Sequence, residues 1–149
     1  MKLEIKSAEE MEQLGSKLAS LLRAGDLVLL AGPLGAGKTT LTRGIGRGLS
    51  AEGTIQSPTF VLARTHRTPV GKLVHVDAYR LSSAVELDDL DIDFENSIVV
   101  IEWARDYLAG YSDNFLTVEL DRTNQEDSRL VRFIPTGKRW EEASLAALD

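Results

Sequence analysis

Apolar residues recur along this chain in two rhythms, and the switches between them mark its elements. Leu3 and Ile5 alternate with charged residues, as on one face of a short strand. From Ser7 the spacing changes. Ser7 with Glu10 three positions later forms a capping-box pattern, and Met11, Leu14, Leu18, Leu21 and Leu22 return at helical intervals. That predicts an amphipathic helix ending at Ala24-Gly25, with Gly25 as a left-handed cap. Residues 26–31 then form a continuous apolar run, as in a strand buried on both faces of a parallel sheet. A second helix is expected over residues 38–49, although Gly44, Gly46 and Gly48 each weaken it by roughly 1 kcal/mol relative to alanine. Close packing of that helix on the sheet would give those glycines a purpose.

The second half reads as shorter pieces. The break Ser57-Pro58 precedes β-prone residues 59–62, and Thr68-Pro69-Val70-Gly71 looks like a turn, so 59–62 and 72–77 are expected to pair as an antiparallel hairpin. A short helix over 83–90, a buried strand over 97–101 and a short polar helix around 104–108 follow. The pattern ends with a hairpin from 115–120 and 130–134 and a peripheral helix over 139–148. No repeat or linker divides it, so residues 1–149 read as one domain.

Between the first buried strand and the second helix stands Gly32-Pro33-Leu34-Gly35-Ala36-Gly37-Lys38-Thr39, a complete G-x-x-x-x-G-K-[ST] phosphate loop in strand-loop-helix context. Small residues let successive backbone N–H groups curl around an anion at the positive end of a helix. Leu34, Gly35, Ala36, Gly37, Lys38, Thr39 and Thr40 are therefore the expected nucleotide-binding residues, with Lys38 reaching the β- and γ-phosphates and Thr39 offering its hydroxyl to Mg²⁺. The fold class follows: α/β, a three-layer P-loop NTPase-like fold with a mostly parallel sheet and antiparallel hairpin strands.

Such a loop needs a carboxylate from the sheet to share the metal. Residues 97–102, Ser-Ile-Val-Val-Ile-Glu, deliver Glu102 at the carboxyl end of a buried strand, where ligands bind in open α/β sheets. Residues 73–77, Leu-Val-His-Val-Asp, deliver Asp77, either from the sheet or from a hairpin folded over the site. Glu102 is assigned to the metal, and Asp77 with Lys38 to catalysis, Asp77 orienting the attacking water; the two acids' roles are exchangeable on this pattern. Thr59 occupies a switch-like position, or is an ordinary strand threonine. His75 reads as a core histidine before a catalytic one. Arg80 either faces developing phosphate charge or pairs with the acids beyond it, and Trp103 is either core or a gate or partner contact.

Charge and composition narrow the function. Seventeen Lys and Arg against 23 Asp and Glu give a net charge of −6, with the basic residues scattered. That argues against binding DNA or RNA unaided. Absence of cysteine removes disulfides, thiol catalysis and Cys-ligated zinc. No apolar run approaches membrane-spanning length, so a soluble, cytoplasmic protein is expected. Six acids at 86, 88, 89, 91, 93 and 95 interleave with Leu87, Leu90, Ile92 and Phe94, a pattern that suits a solvated face and also a docking surface.

In their order and spacing, four segments resemble the TsaE family of P-loop ATPases required for threonylcarbamoyladenosine (t⁶A) modification of tRNA. They are residues 32–40, Ser57-Pro58-Thr59-Phe60, His75-Val76-Asp77-Ala78-Tyr79-Arg80 and Ile101-Glu102-Trp103. The resemblance implies ATP and Mg²⁺ binding, weak hydrolysis, and work on a partner complex, TsaB with TsaD, which performs the threonylcarbamoyl transfer. The tRNA would be met only through those partners, which suits the negative charge. It further implies Thr39 and Glu102 as metal ligands, Asp77 as the catalytic acid, and residues 57–60, Ser57 and Thr59 among them, as a nucleotide-sensing switch. Two positions depart from the family pattern: Pro33, where many relatives carry an acid, and Phe60, where tyrosine is frequent.

A small-molecule kinase would share the loop but also needs a lid carrying several arginines, and none is visible between residues 40 and 135. A GTP switch would show Asn-Lys-x-Asp and Asp-x-x-Gly, and neither occurs. Adenine contacts stay open between residues 7–10 and the 122–129 turn.

Overall fold

The computed structural model describes residues 1–55, 63–78, 87–102, 112–141 and 145–149. Its scaffold is a seven-stranded sheet in the order β1-β7-β6-β2-β5-β4-β3. These strands are β1 (Lys2–Ile5), β2 (Leu27–Ala31), β3 (Ala63–Thr68), β4 (Gly71–Asp77), β5 (Ser97–Glu102), β6 (Phe115–Arg122) and β7 (Arg129–Thr136). The centre is parallel, with β2 between β5 and β6 and β4 beyond β5. Antiparallel pairs β3–β4, β6–β7 and β1–β7 extend it to both margins.

Strand alternation divides the core into two layers. Val28, Leu30, Leu73, Ile98 and Val100 face helices α1 (Ala8–Ala19) and α2 (Lys38–Gly48) in the larger core. Leu27, Leu29, Val74, Val76, Val99 and Ile101 face the other way, toward Leu87, with Leu90, Ile92 and Phe94 packed against them. The acids at 88, 89, 91, 93 and 95 all point to solvent. This segment is therefore an amphipathic cover on the second face of the sheet, as period-two spacing of Leu90, Ile92 and Phe94 allows.

Ser7 caps α1 as expected, its Oγ accepting from Glu10 N at 3.1 Å. The return bond goes one residue further back than in a capping box, with Glu10 Oε2 accepting from Lys6 N at 2.7 Å. The helix stops at Ala19, short of the predicted end at residue 24. Ser20 explains the stop: its N and Oγ both donate to Lys17 O, and Leu21 N and Leu22 N close tight turns onto Leu18 O and Ala19 O. Gly25 does adopt a positive φ of 96°, but in the turn entering β2.

The glycines of α2 face α1 and a loop, not the sheet as predicted. A Cβ on Gly44 would overlap the Glu12 carbonyl of α1, one on Gly48 would lie 2.6 Å from Ala19 Cβ, and one on Gly46 2.8 Å from Ile55 Cγ1. Gly15 on α1 is pressed against the Leu41 carbonyl in the same crossing. Gly44→Ala should therefore destabilise the fold by about 1–3 kcal/mol in a urea titration, because overpacking against backbone outweighs alanine's better helix propensity.

The hairpin on the β3 side exists, but its first strand is 63–68 and residues 56–62 lie outside the described residues. Of the predicted helix over 83–90, residues 87–90 are described: Leu87 and Asp88 are helical, and Asp89 and Leu90 form a turn. The predicted helix around 104–108 also lies outside. At the carboxyl end the chain is not peripheral. A short helix α3 (Lys138–Glu141) buries Trp140, and a 3-10 turn (Leu145–Leu148) buries Leu148, both in the larger core. Arg139 stacks over the Trp140 ring at 4.5 Å and grips the buried Asp26 carboxylate with Nε and Nη2, each at 2.8 Å. It also donates to Leu21 O at 2.6 Å. Arg139→Ala leaves Asp26 charged and buried, so a loss of about 3–5 kcal/mol is expected in chemical unfolding.

Candidate functional site

Parallel pairing places the carboxyl ends of β2, β4 and β5 side by side. Leu30 is opposite Glu102, and Glu102 is opposite Asp77. Alternation decides which way these ends face. Leu73 on β4 and Ile98 and Val100 on β5 point to the α1–α2 side, so His75, Asp77 and Glu102 fall on that side too. β4 is thus a sheet strand, buried from Leu73 to Asp77, and the alternative of a flap over the site does not apply.

The chain leaves β2 at Gly32 and turns through the loop with positive φ at Gly32 (152°), Gly35 (77°) and Gly37 (108°), which non-glycine residues rarely adopt. Gly37 is the N-cap of α2, and its left-handed conformation brings the helix amino end directly onto the loop. Ala36 is buried in the larger core, its N–H donating to Pro33 O at 3.1 Å. Leu34 projects from the tip, 79% exposed. A cavity of about 190 Å³ remains, lined by Leu34, Gly35, Gly37, Lys38, Thr39, Thr40 and Glu102. Of the expected nucleotide-binding residues, Ala36 alone is not part of this lining.

Lys38 folds back over the loop, Nζ donating to Gly32 O at 2.7 Å and Pro33 O at 2.9 Å. Burial pushes its ammonium below the ordinary lysine range, while the charges of Glu102 and Asp77 pull it back up. A phosphate arriving in the cavity would act in the same direction as those carboxylates. Thr39 Oγ1 donates to Glu102 Oε1 at 3.1 Å, joining the first turn of α2 to the end of β5. Hydroxyl and carboxylate oxygen form a hard donor set suited to Mg²⁺, which usually takes one or two carboxylates plus substrate phosphates and water. Among the described residues no group of three His, Asp or Glu forms a self-sufficient metal cage. A metal shared with a bound phosphate does not need one.

Beneath Glu102 lies His75, fully buried, its Nε2 3.2 Å from Glu102 Oε2 but off the line of a hydrogen bond. Its Nδ1 has no hydrogen-bond partner among the described residues. It packs as the core histidine the sequence suggested. Ser57, Thr59, Arg80 and Trp103 lie outside the described residues.

The sequence reading held the 122–129 turn open for adenine but assigned its two arginines no contact with the phosphate loop. Arg122 at the end of β6 donates to Leu34 O at 2.6 Å, and Arg129 at the start of β7 donates to Gly35 O at 3.3 Å. They are cross-strand partners on either side of the hairpin tip, reaching the loop because β6 is the neighbour of β2. A second cavity of about 140 Å³ adjoins the first, sharing Gly35, Gly37 and Thr40 with it. It is closed by Ser7, Ala8, Met11, Asp127 and Arg129.

Residues 5–131 match the family model described as threonylcarbamoyl adenosine biosynthesis protein TsaE. The chain belongs to the TsaE family. It is 46% identical over 147 residues to the tRNA threonylcarbamoyladenosine biosynthesis protein TsaE of Streptomyces coelicolor, covering 93% of this chain and 99% of that protein. The TsaE protein of Mycobacterium tuberculosis H37Rv is 48% identical over 135 residues, 82% of this chain and 79% of the relative. In structure the chain resembles Bacillus subtilis YdiB with a TM-score of 0.78 at 28% identity, covering 95% and 88% of the two chains. The TsaE family serves threonylcarbamoyladenosine biosynthesis, and at that level the resemblance read from the four motifs holds. No helix among the described residues is long and apolar enough to cross a membrane.

Proposed function

We propose that this chain is a cytoplasmic Mg²⁺-dependent ATPase required for t⁶A modification of tRNA, hydrolysing ATP to drive or reset a TsaB–TsaD threonylcarbamoyl transferase complex. The observation that carries the reading is the meeting of Lys38, Thr39 and Glu102 around one cavity at the amino end of α2, with Asp77 in register beside Glu102. The family's place in t⁶A biosynthesis supplies the biological setting.

Each side chain has a part in that chemistry. The backbone of residues 34–40 encloses the β-phosphate, and the Lys38 ammonium balances charge on the β- and γ-phosphates. Thr39 and Glu102 would hold the Mg²⁺, which would supply positive charge to screen the phosphates. Asp77 orients a water and takes its proton at a carboxylate oxygen as the water oxygen bonds to the γ-phosphorus and the bond to the ADP oxygen breaks. The neighbouring cavity at Ser7, Ala8 and Met11 accepts the adenine, in keeping with the two regions left open for it in the sequence. Ser57 and Thr59 remain the proposed nucleotide sensors, on sequence grounds. The tRNA is reached only through the partner complex.

The test is ATP turnover by the purified chain, alone and with TsaB and TsaD. Phosphate release to water that is slow alone and faster with the partners is the expected result. Stoichiometric phosphorylation of a metabolite would identify a small-molecule kinase instead.

A further inference from the structure

The Arg122–Arg129 pair breaks a local rule. Residues directly opposite each other in an antiparallel pair project from the same face, and like charges so placed repel. Here two guanidinium groups sit side by side at the tip of the β6–β7 hairpin. Among the described residues neither has a carboxylate within ion-pair distance. The contrast is Arg132 on the same hairpin, which Glu119 neutralises through both carboxylate oxygens at 3.1 and 3.2 Å. Instead of acids, the pair meets backbone carbonyls: Arg122 that of Leu34, and Arg129 those of Gly35, Glu126 and Ser128.

The loop carbonyls matter because of peptide geometry. In a trans peptide the C=O and the following N–H point in opposite directions. Holding the Leu34 and Gly35 carbonyls toward the hairpin therefore turns the Gly35 N–H away from it, and the Ala36 N–H likewise, onto Pro33 O inside the loop. Gly35 holds a φ of 77° that favours glycine, and a Cβ there would overlap Arg122 Nη2 and push the guanidinium off the loop.

We propose that Arg122 and Arg129 are positioning residues that clamp the crown of the phosphate loop from outside, fixing its peptide orientation for the phosphates and adding positive potential beside them. The inference rests on the reading of the loop as the ATP site. Because the clamp acts on the loop as a whole, it serves ATP and ADP alike. It differs from a charge that touches only the transferring phosphate.

Calorimetric titration of the full chain with ATP and with ADP, with Mg²⁺, tests this, alongside steady-state hydrolysis. Arg122→Gln should raise the Kd of both nucleotides by about tenfold, and KM should rise by more than kcat falls. Arg122→Lys should recover most of the affinity, since the loop contact is a single hydrogen bond to Leu34 O. Arg132→Gln, the same charge change on the same hairpin, should bind as wild type does. Four results would overturn the clamp: a fall in kcat with ADP affinity intact, a lower unfolding temperature with affinity intact, equal loss in Arg132→Gln, or no rescue by lysine. Wild-type protein that binds neither nucleotide would instead remove the ATP-site reading itself, a different failure from wild-type binding matched by Arg122→Gln.

Discussion

Lys38→Ala is expected to lower ATP hydrolysis by at least about 10²–10³-fold, the range seen when one preorganised charge-stabilising donor is removed. The ammonium is held by the Gly32 and Pro33 carbonyls at the mouth of the cavity, with Glu102 and Asp77 near enough to influence its proton affinity. Burial has already stripped it of much of its water, and on the proposed reading it receives a phosphate. Alanine removes that charge where the negative charge of the transition state grows. The fold should survive, with stability changed by no more than about 1 kcal/mol, since Pro33 O keeps its bond from Ala36 N and a partly desolvated charge is removed. Phosphate release and a urea titration on the same preparation check both statements.

The second large effect separates the two acids. Asp77→Asn keeps size and polarity but cannot take a proton, so hydrolysis should fall by about 10²–10⁴-fold while the Kd for ATP stays close to the wild-type value. Glu102→Gln weakens the hydrogen bond that joins α2 to β5 and removes the only carboxylate among the described residues that line the cavity. There the Mg²⁺ concentration needed for half-maximal nucleotide binding should rise, and hydrolysis should partly recover at high Mg²⁺. Titrating Mg²⁺ against both variants decides the assignment. If Asp77→Asn shifts the Mg²⁺ requirement and Glu102→Gln merely slows turnover, the two roles are exchanged.

How much of this was readable before folding depends on the range of the interaction involved. The phosphate loop and Glu102 were legible because each is a local pattern: glycines at positive φ, and an acid ending an apolar strand. The facing of Asp77 and Glu102 was implicit in alternation, since residues 73, 75 and 77 share one side and 98, 100 and 102 share another. Parallel pairing of β4 with β5, which brings those sides together, carries no local mark. The end of α1 was misread because Leu21 and Leu22 continue the helical spacing while the Ser20 hydroxyl competes for the Lys17 carbonyl. Spacing records burial, and both leucines are indeed packed against the larger core. The α2 glycines signalled close approach, but nothing in their own helix names α1 as the neighbour.

The contact of Arg122 and Arg129 with the phosphate loop went unread for the same reason in stronger form. Their partners are 88 and 94 residues away, and only the adjacency of β6 to β2 creates the contact. Asp26 and Arg139, 113 residues apart, likewise read only as the first residues of a strand and of a peripheral helix until the carboxyl end folds back over the start of β2.

The central claim is that ATP hydrolysis at this loop powers t⁶A formation by a partner complex. The most direct measurement is a reconstituted tRNA modification assay containing TsaB, TsaD, a threonylcarbamoyl donor and unmodified tRNA, with this chain and ATP added or withheld. Repeated t⁶A formation should require both the chain and ATP, and Lys38→Ala or Asp77→Asn should bring the yield down to that of the reaction lacking the chain. Undiminished multiple-turnover modification by Lys38→Ala, or by TsaB and TsaD without this chain, would contradict the account.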